Sequence, residues 1–124
     1  MPQTTIVFYR EHPNSIPVLD WLAELHARDR RAYLKCVELI DRLSQFGFEL
    51  RRPTADILHE GVYELRGKAG RVNYRLLYFF HGQNIAILAH AITKEREIPA
   101  KDIELALSRK AHFELSPEKH THKE

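Results

Sequence analysis

Gly61-Val-Tyr-Glu-Leu-Arg66-Gly-Lys-Ala-Gly70-Arg-Val-Asn-Tyr-Arg75 decides how this chain folds. Val62 to Arg66 and Val72 to Phe80 read as strands, and the glycines between them suit a tight reversal. A sheet is therefore the frame of the molecule. The same stretch holds four cations, Arg66, Lys68, Arg71 and Arg75, against the single acid Glu64, in a chain whose net charge is only +2. Concentrated positive charge on a nearly neutral protein points to grip on a phosphate backbone at one place, rather than a body coated for nucleic acid.

Upstream of the hairpin, Thr4 to Tyr9 reads as a strand, and Val18, Trp21, Leu22 and Leu25 recur at helical spacing. A second helix runs from Asp29 to Phe46, with Tyr33, Cys36, Val37, Ile40 and Leu43 on one face and Gly47 at its end. Residues 48–60 show no regular pattern, and Pro53 rules out a long helix there. Downstream, Ile85 to Ile92 forms a last strand after the loop His81-Gly82-Gln83-Asn84. Pro99 then opens a helix from Ala100 to about Lys110, with Ile103, Leu105, Ala106 and Leu107 as its apolar members. Trp21, Phe46 and Phe48 are assigned to the core. The order is β-α-α-β-β-β-α. The expected fold is α+β: an antiparallel-rich sheet covered on one face by the helical pair, with the other face partly open. Residues 1–115 make one domain, and the polar tail 116–124 is expected to be poorly ordered unless something holds it.

With 124 residues there is room for one core and not two. No run approaches a membrane span, and no secretory signal pattern opens the chain. The single Cys36 excludes an intrachain disulfide and reads as a buried thiol. The cytoplasm is the expected compartment. His120 and His122 lack the further ligands of a metal site, so neither metal nor another cofactor is expected.

Several pieces together resemble the RelE/ParE toxin superfamily, and within it the phage-derived HigB-like branch. They are Gly61 to Arg66, Tyr74-Arg-Leu-Leu-Tyr78, His90-Ala-Ile-Thr-Lys94, Pro99 with Ile103 to Arg109, and the closing stretch from Phe113 to Thr121. The resemblance implies a small RelE-like fold and a toxin of a type II toxin–antitoxin pair. It further implies a metal-free endoribonuclease, an mRNA interferase that cuts mRNA on the ribosome and so inhibits translation. ParE members of the same superfamily inhibit DNA gyrase without being nucleases, and an inactive antitoxin-binding module is a third reading. The implied partners are the ribosome with its mRNA and a cognate antitoxin of helix-turn-helix type, in an assembly that can extend to a heterotetramer.

RNA carries its own nucleophile, so such an enzyme must align the 2′-OH with the adjacent phosphate, move protons and stabilise the charge that develops. Fixed cations usually supply the largest share of that stabilisation, and the arginine fork suits phosphate. Alternation along a strand puts Arg71, Asn73 and Arg75 on one face with Leu77 and Phe79, and puts Glu64 beside Arg66. That face must change from polar to apolar, through an open cleft at one end or a bulge. By resemblance, Arg75 matches the arginine at the scissile phosphate and Arg66 a basic position on the preceding strand. Lys94 falls where the family carries a lysine pair. Arg75, Arg66 and Lys94 are the catalytic candidates, and Lys68, Arg71 and Arg96 the RNA-binding ones. His90 is an alternative acid or base, although its apolar neighbours favour a core histidine. The last helix has Ile103 where RelE places a tyrosine. Tyr74 has the wrong parity to replace it, and His112 or Phe113 could stack on a base.

Overall fold

A computed structural model describes residues 3–93 and 97–122. Five strands, β1 (Thr5–Phe8), β2 (Ala55–His59), β3 (Val62–Ala69), β4 (Val72–His81) and β5 (Ile85–Thr93), form one sheet in the order β1-β5-β4-β3-β2. β1 runs parallel to β5, and every other pairing is antiparallel. Three helices, α1 (Pro17–Arg28), α2 (Arg30–Phe46) and α3 (Ala100–Leu115), complete the fold. This is a compact RelE-like α+β arrangement. No helix among the described residues is long and apolar enough to cross a membrane.

α1 and α2 lie on one face of the sheet. Leu22, Leu25, Cys36, Leu39 and Leu43 pack there against Leu65, Leu76, Tyr78 and Leu88. The fully buried positions of α2 are Ala32, Cys36, Leu39 and Leu43, with Tyr33 and Ile40 half-buried beside them; of the expected face only Val37 is exposed, and Leu39 joins it. The Cys36 thiol is fully buried, and burial pushes its pKa up to about 11. α3 crosses the opposite face and covers only part of it, with Ala106 and Phe113 over Val62, Leu77, Phe79 and Ile87. That partial cover divides the face. Leu77 and Phe79 lie beneath the helix, while Arg66 and Arg75 lie beyond it.

Other expectations change as well. β2 is a strand the sequence reading missed, within the stretch read as irregular. α3 continues through Leu115, because Phe113 is 2% exposed and packs edge-on against Phe79. Phe113 therefore cannot stack on a base. Phe46 and Phe48 are half exposed and outside the core, Phe48 stacking on Phe80 at 3.8 Å between ring centroids. The tail is held as far as it is described: Arg10 N–H donates to His120 O and His122 N–H to Phe8 O, while the buried His120 ring stacks on Tyr9 at 5.1 Å.

Candidate phosphate site

The turn Gly70–Arg71 sets β3 against β4 so that Arg66 pairs with Arg75 and Glu64 with Leu77. Arg66 donates its N–H outward to Thr54 O, at 2.7 Å. By alternation, Arg66 and Arg75 then form a non-hydrogen-bonded pair, the kind whose side chains lie closer. Two like charges directly opposite each other are unfavourable without a counter-ion. Glu64 supplies it. Its Oε1 is 3.3 Å from Arg66 Nε, and its Oε2 accepts from Arg75 Nη1 at 3.3 Å. The carboxylate is 3% exposed.

Burial raises the Glu64 pKa against the pull of Arg75 and Arg66. Next along the same row, Asp56 of β2 pairs with Glu64 across the strands and is claimed by Arg52, at 2.7 Å. The hydrogen bond from Arg52 lowers the Asp56 pKa. Nε of Arg75 is buried without a hydrogen-bond partner among the described residues, and buried Nε of Arg66 has its 3.3 Å ion-pair contact with Glu64 Oε1 but no aligned hydrogen bond. Buried donors of that kind are costly to leave unpaired. The geometry is two forks on one buried carboxylate, with hydrogen-bonding capacity left over.

Alternation along β4 itself is unbroken, so the polar-to-apolar change on the Arg75 face follows from where α3 packs: over Leu77 and Phe79, with Arg75 turned instead to Glu64. A bulge does occur, but on β5: Leu77 pairs with His90 and Tyr78 with Leu88, which leaves Ala89 extra. Ile87 and Ala89 face α3, and after the bulge it is His90 that turns to that side. Arg109 Nη1 donates to the bulged Ala89 O at 2.7 Å. His90 Nε2 lies 2.8 Å from Asp102 Oδ1 in the first turn of α3. Its pairing with Leu77 makes it the diagonal neighbour of Arg75, a separation of about 7–8 Å in antiparallel sheets. His90 is thus half-buried and polar-partnered rather than packed in the apolar core.

Of the remaining candidates, Lys68 pairs with Asn73 one step beyond Arg66 and is exposed, and Arg71 is exposed at the turn. Lys94 and Arg96 lie outside the described residues. Tyr74 is buried on the opposite face against Trp21, as its parity required. Glu64, Arg52 and Asp102 were not singled out in the sequence. Parity had placed Glu64 beside Arg66, but its burial depends on β2 lying alongside. Among the described residues no three of His, Cys, Asp or Glu gather as a metal site would require.

The fold is a small α+β arrangement of RelE type, with a part-buried arginine pair on the sheet face that α3 only partly covers. A family profile described as phage derived protein Gp49-like (DUF891) matches residues 20–111, and the chain belongs to that family. It is RelE-like and toxin-like in general character, and its members are often toxins of toxin–antitoxin pairs. No curated protein matches the chain.

Proposed function

We propose that this protein is a HigB-like toxin: a metal-free endoribonuclease that cuts ribosome-bound mRNA in the cytoplasm and is restrained by a cognate antitoxin. The observation that carries the reading is the opposed Arg66–Arg75 pair, two guanidinium groups that share one buried carboxylate. In the reaction the substrate 2′-oxygen attacks the adjacent phosphorus as its proton leaves. The bond from phosphorus to the 5′-oxygen breaks, and that oxygen takes up a proton. The products are a 2′,3′-cyclic phosphate and a 5′-hydroxyl. Arg75 and Arg66 stabilise the charge on the non-bridging oxygens, where preorganised donors contribute most. Lys94, following β5, and His90, held by Asp102, are the two groups available to move protons. Lys68, Arg71 and Arg96 extend the contact with RNA. The ribosome supplies orientation, which agrees with so small a net charge. The antitoxin is proposed to be a helix-turn-helix protein assembling with the toxin as a heterotetramer.

The test is a purified translation system programmed with a reporter mRNA, and with the same mRNA bearing one 2′-deoxy nucleotide at the mapped cut. The proposal predicts cleavage only with ribosomes, cyclic-phosphate ends, and loss of the cut at the deoxy position. Intact mRNA with unimpaired translation would overturn it. Inhibition of DNA supercoiling by gyrase in parallel reactions would then identify the ParE-like activity. Binding to antitoxin alone would identify an inactive module.

A further inference from the structure

The arginine pair accounts for one phosphate, yet a second concentration of positive charge borders it. Where β2 stops opposite Leu65, the outer side of β3 opens into a cleft of about 350 Å3. Lys35 and Arg42 of α2 form one wall, Arg66 and Lys68 of β3 the other, and Pro53 and Thr54 close an end. The lining holds these four cations, no acid and no aromatic ring. Lys35 and Arg42 are seven residues apart on one stripe of α2. Glu38 between them reaches both, at 3.5 and 3.8 Å, and keeps them on the same side of the helix. Arg42 Nη1 also donates to Thr54 Oγ1, at 3.4 Å.

A close approach builds the cleft. A side chain on Gly67 would place its Cβ 2.6 Å from Leu39 Cδ1 and 3.3 Å from Lys35 Cε. Its absence lets α2 lie directly on β3 and brings the helix cations to the uncovered edge of the strand, around which Arg66 and Lys68, whose parity is opposite to that of Gly67, also border the cleft. Arg66 borders both this cleft and the Glu64 site. One strand can therefore run from one to the other.

We propose that this cleft is a second backbone subsite, which holds the phosphates of single-stranded RNA next to the phosphate gripped by Arg66 and Arg75. The proposal rests on the reading of the protein as an RNA-cutting toxin. Without a stacking platform the cleft takes backbone and not bases, so it adds affinity without sequence preference.

The test is fluorescence anisotropy with a 2′-O-methyl RNA 12-mer, which lacks the nucleophile, over a series of salt concentrations. Wild type is compared with Lys35→Gln/Arg42→Gln and with Arg75→Ala. Both α2 side chains are substantially exposed, at 34% and 51%, so glutamine leaves the core intact. The double variant should bind severalfold more weakly near 0.15 M salt, and its log–log salt slope should be shallower by about 1.4, the value for two lost single-strand phosphate contacts. An unchanged slope and affinity, with Arg75→Ala still weakened, would overturn the subsite and leave the arginine pair standing. A wild-type protein that bound no RNA would overturn both. Unchanged RNA binding with loss of affinity for a glutamate-rich peptide would also overturn it, by making the cleft a protein-docking surface.

Discussion

Glu64 governs the net charge of the site it shares with Arg66 and Arg75. While ionised it neutralises half of the charge that Arg66 and Arg75 present, and it holds both forks at 3.3 Å. Burial has raised its pKa, so the carboxyl takes up a proton earlier than an ordinary glutamate as pH falls. The sign follows from the direction: folded protein binds this proton more tightly than unfolded chain, and the cost of the buried charge is recovered toward acid. A phosphodiester keeps its charge over the same range. Affinity for a non-cleavable RNA should therefore rise as pH drops through the Glu64 titration, and Glu64→Gln should bind more tightly at neutral pH and lose that part of the rise. A wild-type profile that the substitution leaves unaltered would remove Glu64 from this role. Arg66, Arg75 and their shared face were legible in the sequence because strand parity is a local rule. The burial of Glu64 was not, since it comes from a neighbouring strand and the packing around it.

Two elements place the site, and each turns on one small residue. Gly67 admits Leu39 of α2 against β3. Gly67→Ala should lower stability by about 1–3 kcal/mol through overpacking, measured by urea denaturation. It should also weaken RNA binding by lifting Lys35 and Arg42 away from Lys68. Stability equal to wild type would mean that α2 can shift without cost. Ala89 is the other: as the bulged residue it reverses the parity of β5 and turns His90 toward Asp102. A regular strand would have put His90 on the face of Ala86 and Leu88, hence the bias toward a core histidine. A bulge leaves little trace in a run as uniformly apolar as Ile85 to Ile92. β2 escaped notice for a related reason. Ala55–His59 is a short edge strand containing an acid and a histidine, and its Ile57 N–H is occupied by the Asp56 carboxylate at 2.9 Å, which blunts the edge.

At the scale of the whole molecule, the order of elements followed from periodicity except for β2, and the helical pair on one face followed from that order. The position of α3 did not. It packs over the apolar half of the second face, which leaves Arg66 and Arg75 part-buried beside a packed region. The tail closes the far edge beside β1, where the Tyr9 ring is enclosed by His120 and Arg109. Removing residues 117–124 should lower the melting temperature, because it uncovers Tyr9 and frees the Arg10 N–H and Phe8 carbonyl. Differential scanning calorimetry would show this, and an unchanged transition would mean the tail adds nothing to the fold. The most direct test of the central claim is mapping of 5′ ends on a translated reporter mRNA with wild type and Arg75→Ala at equal concentration. The account predicts new ends within the coding region for wild type and a loss of about 100-fold or more in their rate of appearance for the variant, the scale expected for a transition-state donor. Equal cleavage by the two proteins would contradict it.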